Sequence, residues 1–294
     1  MIDAATLEMQ LRAGRFDVIA EAYLHRATRE TSAAMLRGRD ALLTAALGEA
    51  AAFPDTVTSL GFCADDLATF VRHHGDHRWR GHRWLAREDD RVVRETLIED
   101  GVTRNLAAEA QAEPLAFLHA PLGELRPGCG QLAAGDTAIV PPGWPDAARA
   151  VADAFHRSWN GKAIDRIEAL WHEDCVWHGP AGAGGGRAGL LRWLTTFFAA
   201  FPDATLMFER AIVRDDTIAL LWRLHAHHRG GPGFGAATGR RVKLIGSSVL
   251  RFEAELIVAD ETLIDTSSIA SQLTMSMLAW RAATGEGVAD GDDR

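Results

Sequence analysis

The chain has 294 residues, of which 47% are hydrophobic and 24% charged, a composition that excludes a disordered or collagen-like protein. Its formal net charge of −9 argues against nucleic-acid binding, which requires a basic surface. Because one domain usually takes roughly 100 to 200 residues, we expect two domains.

The cysteine pattern and the apolar segments indicate the compartment. Cys63, Cys129 and Cys175 form no C-x-x-C pair, so neither a disulfide framework nor a cysteine zinc site is predicted. The sequence shows no signal peptide and no run of about 18 apolar residues. We therefore expect a cytoplasmic protein that does not contact a membrane.

An internal repeat dominates the sequence. GRDALL at 38–43 and AAFPD at 51–55 reappear as GRAGLL at 186–191 and AAFPD at 199–203, at a constant offset of 148. A shared register over that length predicts a tandem duplication of one domain.

The offset between the copies grows towards their ends. ETLI at 95–98 meets ETLI at 261–264 at an offset of 166, so the second copy contains an insertion, which we place in the glycine-rich hairpin 229–239. The predicted organisation is a divergent domain at 1–112, a Pro- and Gly-containing linker at 113–144, a domain with the better-preserved pocket at 145–284, and a disordered tail at 285–294.

The first copy contains one segment with two interpretations. Residues 72–94 interleave Arg and His with Trp79 and Trp84, as a base-stacking strand does, but the alternation of a β-strand explains the same pattern. Together with the acidic net charge, the β-strand interpretation argues against a nucleic-acid partner.

The periodicity of the second copy changes from helical to strand-like along the chain. It predicts helices at 145–159, 164–171 and 189–201, and then strands at 217–228, 242–252 and 256–265. Helices followed by an antiparallel sheet indicate an α+β domain with its helices on one sheet face.

Several short motifs occur in this copy: Trp159-Asn-Gly161, Trp177-His-Gly-Pro180, Phe201-Pro-Asp203, His228-x-Gly230, Thr238-Gly-Arg240, and Asp265 followed by Gln272-Leu273. With them, residues 148 to 275 resemble the SnoaL-like branch of the nuclear-transport-factor-2-like superfamily, which includes polyketide cyclases. The resemblance implies two cone-shaped domains, each a curved sheet wrapped by about three helices around a pocket, with no cofactor. It also implies an internal pseudo-dimer, with homo-oligomerisation left open.

The resemblance and the strand pattern select candidate catalytic residues. In the cyclases, an Asp at the position of Asp265 acts as the acid/base group of an aldol closure, and a helix N-cap is the alternative role. Alternation places His228 on the apolar face of its strand, where it either exchanges a proton with a substrate or bonds to the rim loop. His178 either orients a carbonyl group or closes the rim.

Further residues are predicted to bind the substrate. Trp177, Trp222, Phe197 and Leu224 supply apolar walls for a ring-shaped ligand, although they are equally suited to a plain core. Glu261 joins them because simple alternation places residues 257, 259, 261, 263 and 265 on one face of the last strand.

The candidate functions belong to two classes. One is a cofactor-independent, polyketide-cyclase-like lyase or isomerase that performs aldol-type cyclisation or isomerisation on a small hydrophobic carbonyl or polycyclic compound. The other is a non-catalytic module that binds a small ligand or a protein partner. His225 and His227 share a strand face but have no third ligand fixed by spacing, so no metal site is predicted.

Overall fold

The computed structural model describes residues 2–31, 34–100, 145–180, 185–232 and 234–273. The chain divides into two compact units, residues 1–130 and 131–294, called here the first and the second unit. The predicted linker and tail lie outside the described residues, and the exact domain limits stay a prediction.

In its described residues the first unit has three helices and a six-stranded sheet. Its sheet order is β2-β1-β6-β5-β4-β3, antiparallel except for the parallel pair β1 and β6. The elements in chain order are α1 Ala4–Arg12, α2 Asp17–Ala22, β1 Tyr23–Glu30, β2 Met35–Arg37, α3 Arg39–Ala52, β3 Val57–Ala64, β4 Leu67–His74, β5 His77–Glu88 and β6 Arg91–Glu99.

The second unit has four described helices and a five-stranded sheet. Its sheet order is β7-β11-β10-β9-β8, again antiparallel except for one parallel pair, β7 and β11. The elements are α4 Asp146–Gly161, α5 Ile164–Leu170, β7 Trp171–His178, α6 Gly186–Ala200, β8 Thr205–Arg214, β9 Thr217–His227, β10 Arg241–Glu253, β11 Leu256–Ile264 and α7 Thr266–Gln272. The α+β class is confirmed.

Local sequence explains where the helices of the second unit begin and end. Pro145 precedes α4, and Lys162 ends it in the left-handed region at φ 51°. Pro202 follows α6, since proline cannot continue a helix. Apolar residues at helical spacing on α4 are buried: Ala148, Val151, Ala152, Phe155 and Trp159.

The cores of the two units differ in chemistry. The second unit packs one large apolar cluster in which its helices cover the inner face of the sheet. The first unit buries a smaller apolar cluster and, beside it, fully buried charged side chains that include Glu8, Arg72, Arg83 and Glu95. Burying charge is costly without partners, so these groups must be paired with one another.

A β-bulge changes the face of the last strand. Ala259 pairs with Arg251 and Ile257 with Phe252, which leaves Val258 as an extra residue in β11. Beyond it, the inward face carries Asp260, Thr262 and Ile264, all at most 5% exposed. The prediction that Ala259 and Glu261 share an inward face with Ile257 is therefore wrong, because one extra residue reverses the alternation.

Apart from β2 and α7, the described elements of the two units follow the same order and the same strand pairing. Tyr23 pairs with Val92 in the first unit as Trp171 pairs with Ile257 in the second, and both parallel pairs change register at the following residues. The register beyond the bulges therefore matches Glu95 with Asp260, one residue from the sequence match of Glu95 with Glu261.

Candidate functional site

Asp260 is a buried carboxyl group in the interior of the second unit. It is 2% exposed and lies on the inward face of β11, just past the bulge. The indole Nε1 of Trp171 donates to its Oδ2 at 3.0 Å, and the hydroxyl of Thr262 donates to its Oδ1 at 2.6 Å. Each carboxyl oxygen therefore has one donor.

Burial controls the protonation of Asp260. Loss of solvation raises the pKa of this carboxyl group to about 7, and the nearby charge of Glu261 adds to the increase. The bonds from Thr262 and Trp171 stabilise the carboxylate and act in the opposite direction. Near pH 7 the group thus occurs in both forms, as an acid/base catalyst requires.

The hydrogen bonds continue from Asp260 into the sheet. Ser248 Oγ lies 2.8 Å from Thr262 Oγ1, and Trp222 Nε1 donates to Ser248 Oγ at 3.0 Å. An indole can only donate, and Thr262 donates to Asp260, so the chain runs from Trp222 through Ser248 and Thr262 to the carboxylate. All these side chains are buried.

Aromatic rings surround this polar chain. Trp159 packs against Trp222 with ring centroids 5.9 Å apart, and Trp193 stacks on Phe197 at 5.0 Å. Trp177 contacts Trp193 at 6.4 Å and pairs with Asp260 across the parallel strands. The indole N–H groups of Trp159 and Trp177 are buried and have no hydrogen-bond partner among the described residues.

The first unit has a carboxyl group at the matching position. The phenol of Tyr23 donates to Glu95 Oε2 at 2.5 Å, as Trp171 donates to Asp260. Burial raises the pKa of Glu95, but the charges of Arg29 and Arg83 outweigh it, so the pKa lies below its ordinary value. The same position therefore holds an acid with a raised pKa in the second unit and an ionised, paired acid with a lowered pKa in the first.

The predicted catalytic residues lie in three different settings. Asp265 is the N-cap of α7, and its side chain accepts the backbone N–H of Ser267 at 3.0 Å. His228 is fully buried, and its Nδ1 lies 3.1 Å from Thr238 Oγ1 in the glycine-rich hairpin. His178 is exposed at the end of β7, where it pairs with Glu261.

The environment of His228 keeps its ring neutral. Burial lowers the pKa of His228, although the backbone of Phe234 favours the protonated form. No described group has hydrogen-bond geometry to Nε2, and the ring lies 5.3 Å from that of Phe201. The hydrogen bond of His228 to the rim loop is thus present through Nδ1, and Nε2 has no hydrogen-bond partner among the described residues.

The predicted apolar contacts all lie in the core of the second unit. Trp177, Trp222, Phe197 and Leu224 are each at most 3% exposed and belong to its apolar cluster. Glu261, in contrast, is only partly buried and shares its side of the sheet with His178.

Sequence reasoning missed Asp260, and the cause is the bulge at Val258. Strict alternation placed Asp260 on the outer face of β11. A signal was present, because the repeat contains an acid at the equivalent position, Glu95, but only the strand register matches the two residues.

Comparison with known proteins agrees with the architecture of the second unit. The model of the SnoaL-like domain family matches residues 152–259. The matched segment lies within the second unit, whose described elements form a mixed α+β fold with a five-stranded sheet.

Solved structures also resemble part of the chain. AclR from Streptomyces galilaeus, a proposed hydroxylase, is 22% identical over 44% of this chain and 96% of its own, with a TM-score of 0.41. IdmH from Streptomyces antibioticus, a proposed polyketide cyclase, is 21% identical over 45% of this chain and 100% of its own, with a TM-score of 0.40. A Catenulispora acidiphila protein with a ketosteroid isomerase-like fold is 20% identical over 43% of this chain and 93% of its own, with a TM-score of 0.37. No curated protein matches the chain.

The described part of the chain also lacks two other kinds of feature. Within it, no three His, Cys, Asp or Glu side chains are grouped as a metal ion would need. None of its helices combines the length and apolarity needed to cross a membrane.

Proposed function

We propose that the second unit binds a small hydrophobic carbonyl compound and that Asp260 transfers a proton on it. The observation that supports this most is a buried carboxyl group with a pKa of about 7 inside an aromatic core. A carboxylate of that basicity can remove a proton from a carbon next to a carbonyl group and return it to another atom. Aldol-type cyclisation and isomerisation both need such a step.

The enolate oxygen formed in this step needs a hydrogen-bond donor. Trp177 supplies a buried, unpaired indole N–H on the strand that pairs with β11 at Asp260. A donor without a competing protein acceptor stabilises a developing oxyanion in a low-dielectric site. We therefore assign oxyanion binding to Trp177, and walls for the ligand to Trp222, Phe197 and Leu224.

The residues selected from the sequence take supporting roles in this proposal. The hydrogen bonds of Asp265 to Ser267 hold the start of α7, so the acid/base role passes to Asp260. His228, neutral and with Nε2 unpaired among the described residues, binds a polar group of the ligand near the glycine-rich hairpin.

Asp260→Asn tests the reaction against the matched variants Asp265→Asn and Glu261→Gln. Each protein is incubated with aromatic and alicyclic ketones, with binding followed by calorimetry and turnover by product analysis. We expect Asp260→Asn alone to bind ligand but lose turnover by about 100-fold or more. Loss in Asp265→Asn with full activity in Asp260→Asn would move the acid/base role back to Asp265.

A non-catalytic ligand-binding module is the second candidate. It is favoured by one observation: the donors and acceptors from Trp222 to Asp260 already satisfy one another, as in a purely structural network. In that case the wild type and Asp260→Asn bind ketones with equal affinity, and neither protein converts them.

We also propose that the two units descend from one duplicated domain. The repeated sequence motifs, the shared order of elements and the matching bulges support this. The proposed domains are 1–112 and 145–284. These limits can be tested by expressing residues 145–284 alone and measuring its thermal unfolding. Cooperative unfolding would support the proposed domains, and an unfolded fragment would argue against them.

A further inference from the structure

The edge strands of the two described sheets differ in how they are protected against pairing with another chain. β2 has only three residues, and the edge strands of the second unit carry charged side chains, such as Glu173 on β7 and Glu209 on β8. β3, Val57–Ala64, has eight residues, and none of them is charged. Because short length and charge are two common ways to protect a sheet edge, β3 is the least protected of these edges.

The free side of β3 is also exposed. β4 pairs with one side of the strand, and no described strand pairs with the other. Val57 and Leu60 are apolar but 64% and 39% exposed, and Ser59 and Gly61 are exposed as well. An edge strand leaves alternate backbone N–H and C=O groups unpaired on its free side, so a further strand can add there through backbone hydrogen bonds.

The exposed residues 57–61 match a second copy of the same strand. In an antiparallel pair with a two-fold axis at Ser59, Val57 of one copy faces Gly61 of the other, so a side chain meets a residue that has none. Thr58 and Leu60 face each other in the same register. A β-bulge after Leu60 limits the straight part of the edge to this segment. The segment is therefore self-complementary in size.

Charge also favours this arrangement. Because the chain has a formal net charge of −9, two copies repel one another over most of their surfaces. Pairing through residues 57–61 brings no charged side chains opposite each other, and Asp55, just before the strand, faces the uncharged Cys63 of the other copy. The strand therefore offers a second copy a contact without like-charge repulsion.

We propose that the chain forms a two-fold dimer in which β3 of each copy pairs antiparallel with β3 of the other. The six-stranded sheets of the two first units then become one continuous sheet. The contact is smaller than a standard protein interface, which buries about 1,600 Å² in total, so the dimer is weak and depends on concentration. The proton transfer proposed for Asp260 does not depend on this pairing.

Sedimentation velocity of the full chain under reducing conditions tests the dimer, over a range of about 10 μM to 1 mM in which the wild type should shift from monomer to dimer. Ser59→Lys and Ser59→Glu should each raise the dimer Kd by about fivefold or more, because like charges then face each other across the axis. An equal mixture of the two variants should restore the dimer. Val176→Lys is the matched control: Val176 is 54% exposed on β7, an edge of the other sheet, so this variant should behave as the wild type does.

A disulfide crosslink tests the register with a substitution close to serine in size, which preserves the fold. Ser59→Cys places two thiols opposite each other at a separation that a disulfide can close, so oxidised glutathione should yield a covalent dimer. Val176→Cys should yield far less. A wild type that stays monomeric at all concentrations, a mixture of Ser59→Lys and Ser59→Glu that dimerises no better than either alone, or equal crosslinking of Ser59→Cys and Val176→Cys would overturn the proposal.

Discussion

The indole of Trp171 donates a hydrogen bond of 3.0 Å to Oδ2 of Asp260. Trp171 is the first residue of β7, whereas Asp260 lies beyond the bulge of the neighbouring strand. The bond therefore exists only when both the parallel pairing and the bulge are formed.

Replacing Trp171 with Phe should raise the pKa of Asp260 further. The ring remains apolar, but the carboxylate loses one of its two donors, which is expected to raise the pKa by about one unit. Carboxyl ¹³C NMR titration measures the change. Trp193→Phe is the control, because Trp193 stacks on Phe197 and takes no part in the polar chain. An unchanged titration in Trp171→Phe would show that the bond does not stabilise the carboxylate.

The raised pKa of Asp260 predicts how stability depends on pH. The folded state holds this proton up to about pH 7, whereas the unfolded chain releases it near the ordinary value of 3.8. The free energy of unfolding should therefore fall between these pH values, by at most about 4 kcal/mol.

Urea unfolding of wild type and Asp260→Asn across this pH range checks the effect. The variant has no proton to release at this position, so its stability relative to the wild type should rise with pH. Asp174→Asn changes an exposed carboxyl group on β7 and should follow the wild type. Parallel curves for wild type and Asp260→Asn would contradict the assignment.

Asp265→Ala should destabilise the second unit by about 1 kcal/mol, because the first turn of α7 loses its cap. Asp265→Asn should retain most of that stability, since Asn caps helices equally well. Thermal unfolding of both variants measures the difference. If both variants were as stable as the wild type, the capping role would be excluded.

Glu8→Gln should strongly destabilise the first unit near neutral pH. Burial raises the pKa of Glu8, but Arg72, Arg83 and Arg12 outweigh it and lower the value from 4.5 to about 2. Removal of this charge leaves the buried guanidinium groups of Arg72 and Arg83 short of a partner, at a cost of about 3 kcal/mol or more.

The stability difference between wild type and Glu8→Gln should also depend on pH. Its stabilisation is present above pH 4.5 and is lost as the pH falls towards 2, so wild type and Glu8→Gln should converge there. Asp17→Asn, in an exposed pair with Arg15, should change stability far less in urea titrations. A constant gap between wild type and Glu8→Gln at all pH values would refute this account.

Gly246→Ala should destabilise the second unit by about 1 to 3 kcal/mol through overpacking. A Cβ atom at Gly246 would lie 2.2 Å from the indole of Trp222. Gly161→Ala is the control: its Cβ meets nothing within 4 Å, so no loss is expected. A double-mutant cycle with Trp222→Leu tests the cause, with unfolding midpoints measured for both single variants and the double variant. Gly246→Ala should cost stability in the wild type, and much less in the Trp222→Leu background, only if the clash is the cause.

The sequence by itself determined the repeated motifs, the α+β class and the faces of regular elements. The alternation of β9 predicted that Trp222 and Leu224 point inward while Arg223 and His225 do not, and burial agrees. The start of α4 followed from Pro145 and the end of α6 from Pro202. These features depend on local periodicity and local chain chemistry, so neighbouring residues are sufficient to specify them.

Only the tertiary structure decided which carboxyl group of β11 points into the core of the second unit. One extra residue, Val258, reverses the inward face of β11, and bulges have no reliable local signal. The charged interior of the first unit likewise depends on distant contacts, such as that of Arg83 with Glu8, 75 residues apart. The pKa of a carboxyl group follows from the solvent and charges around it in space, and the order of residues alone does not fix either.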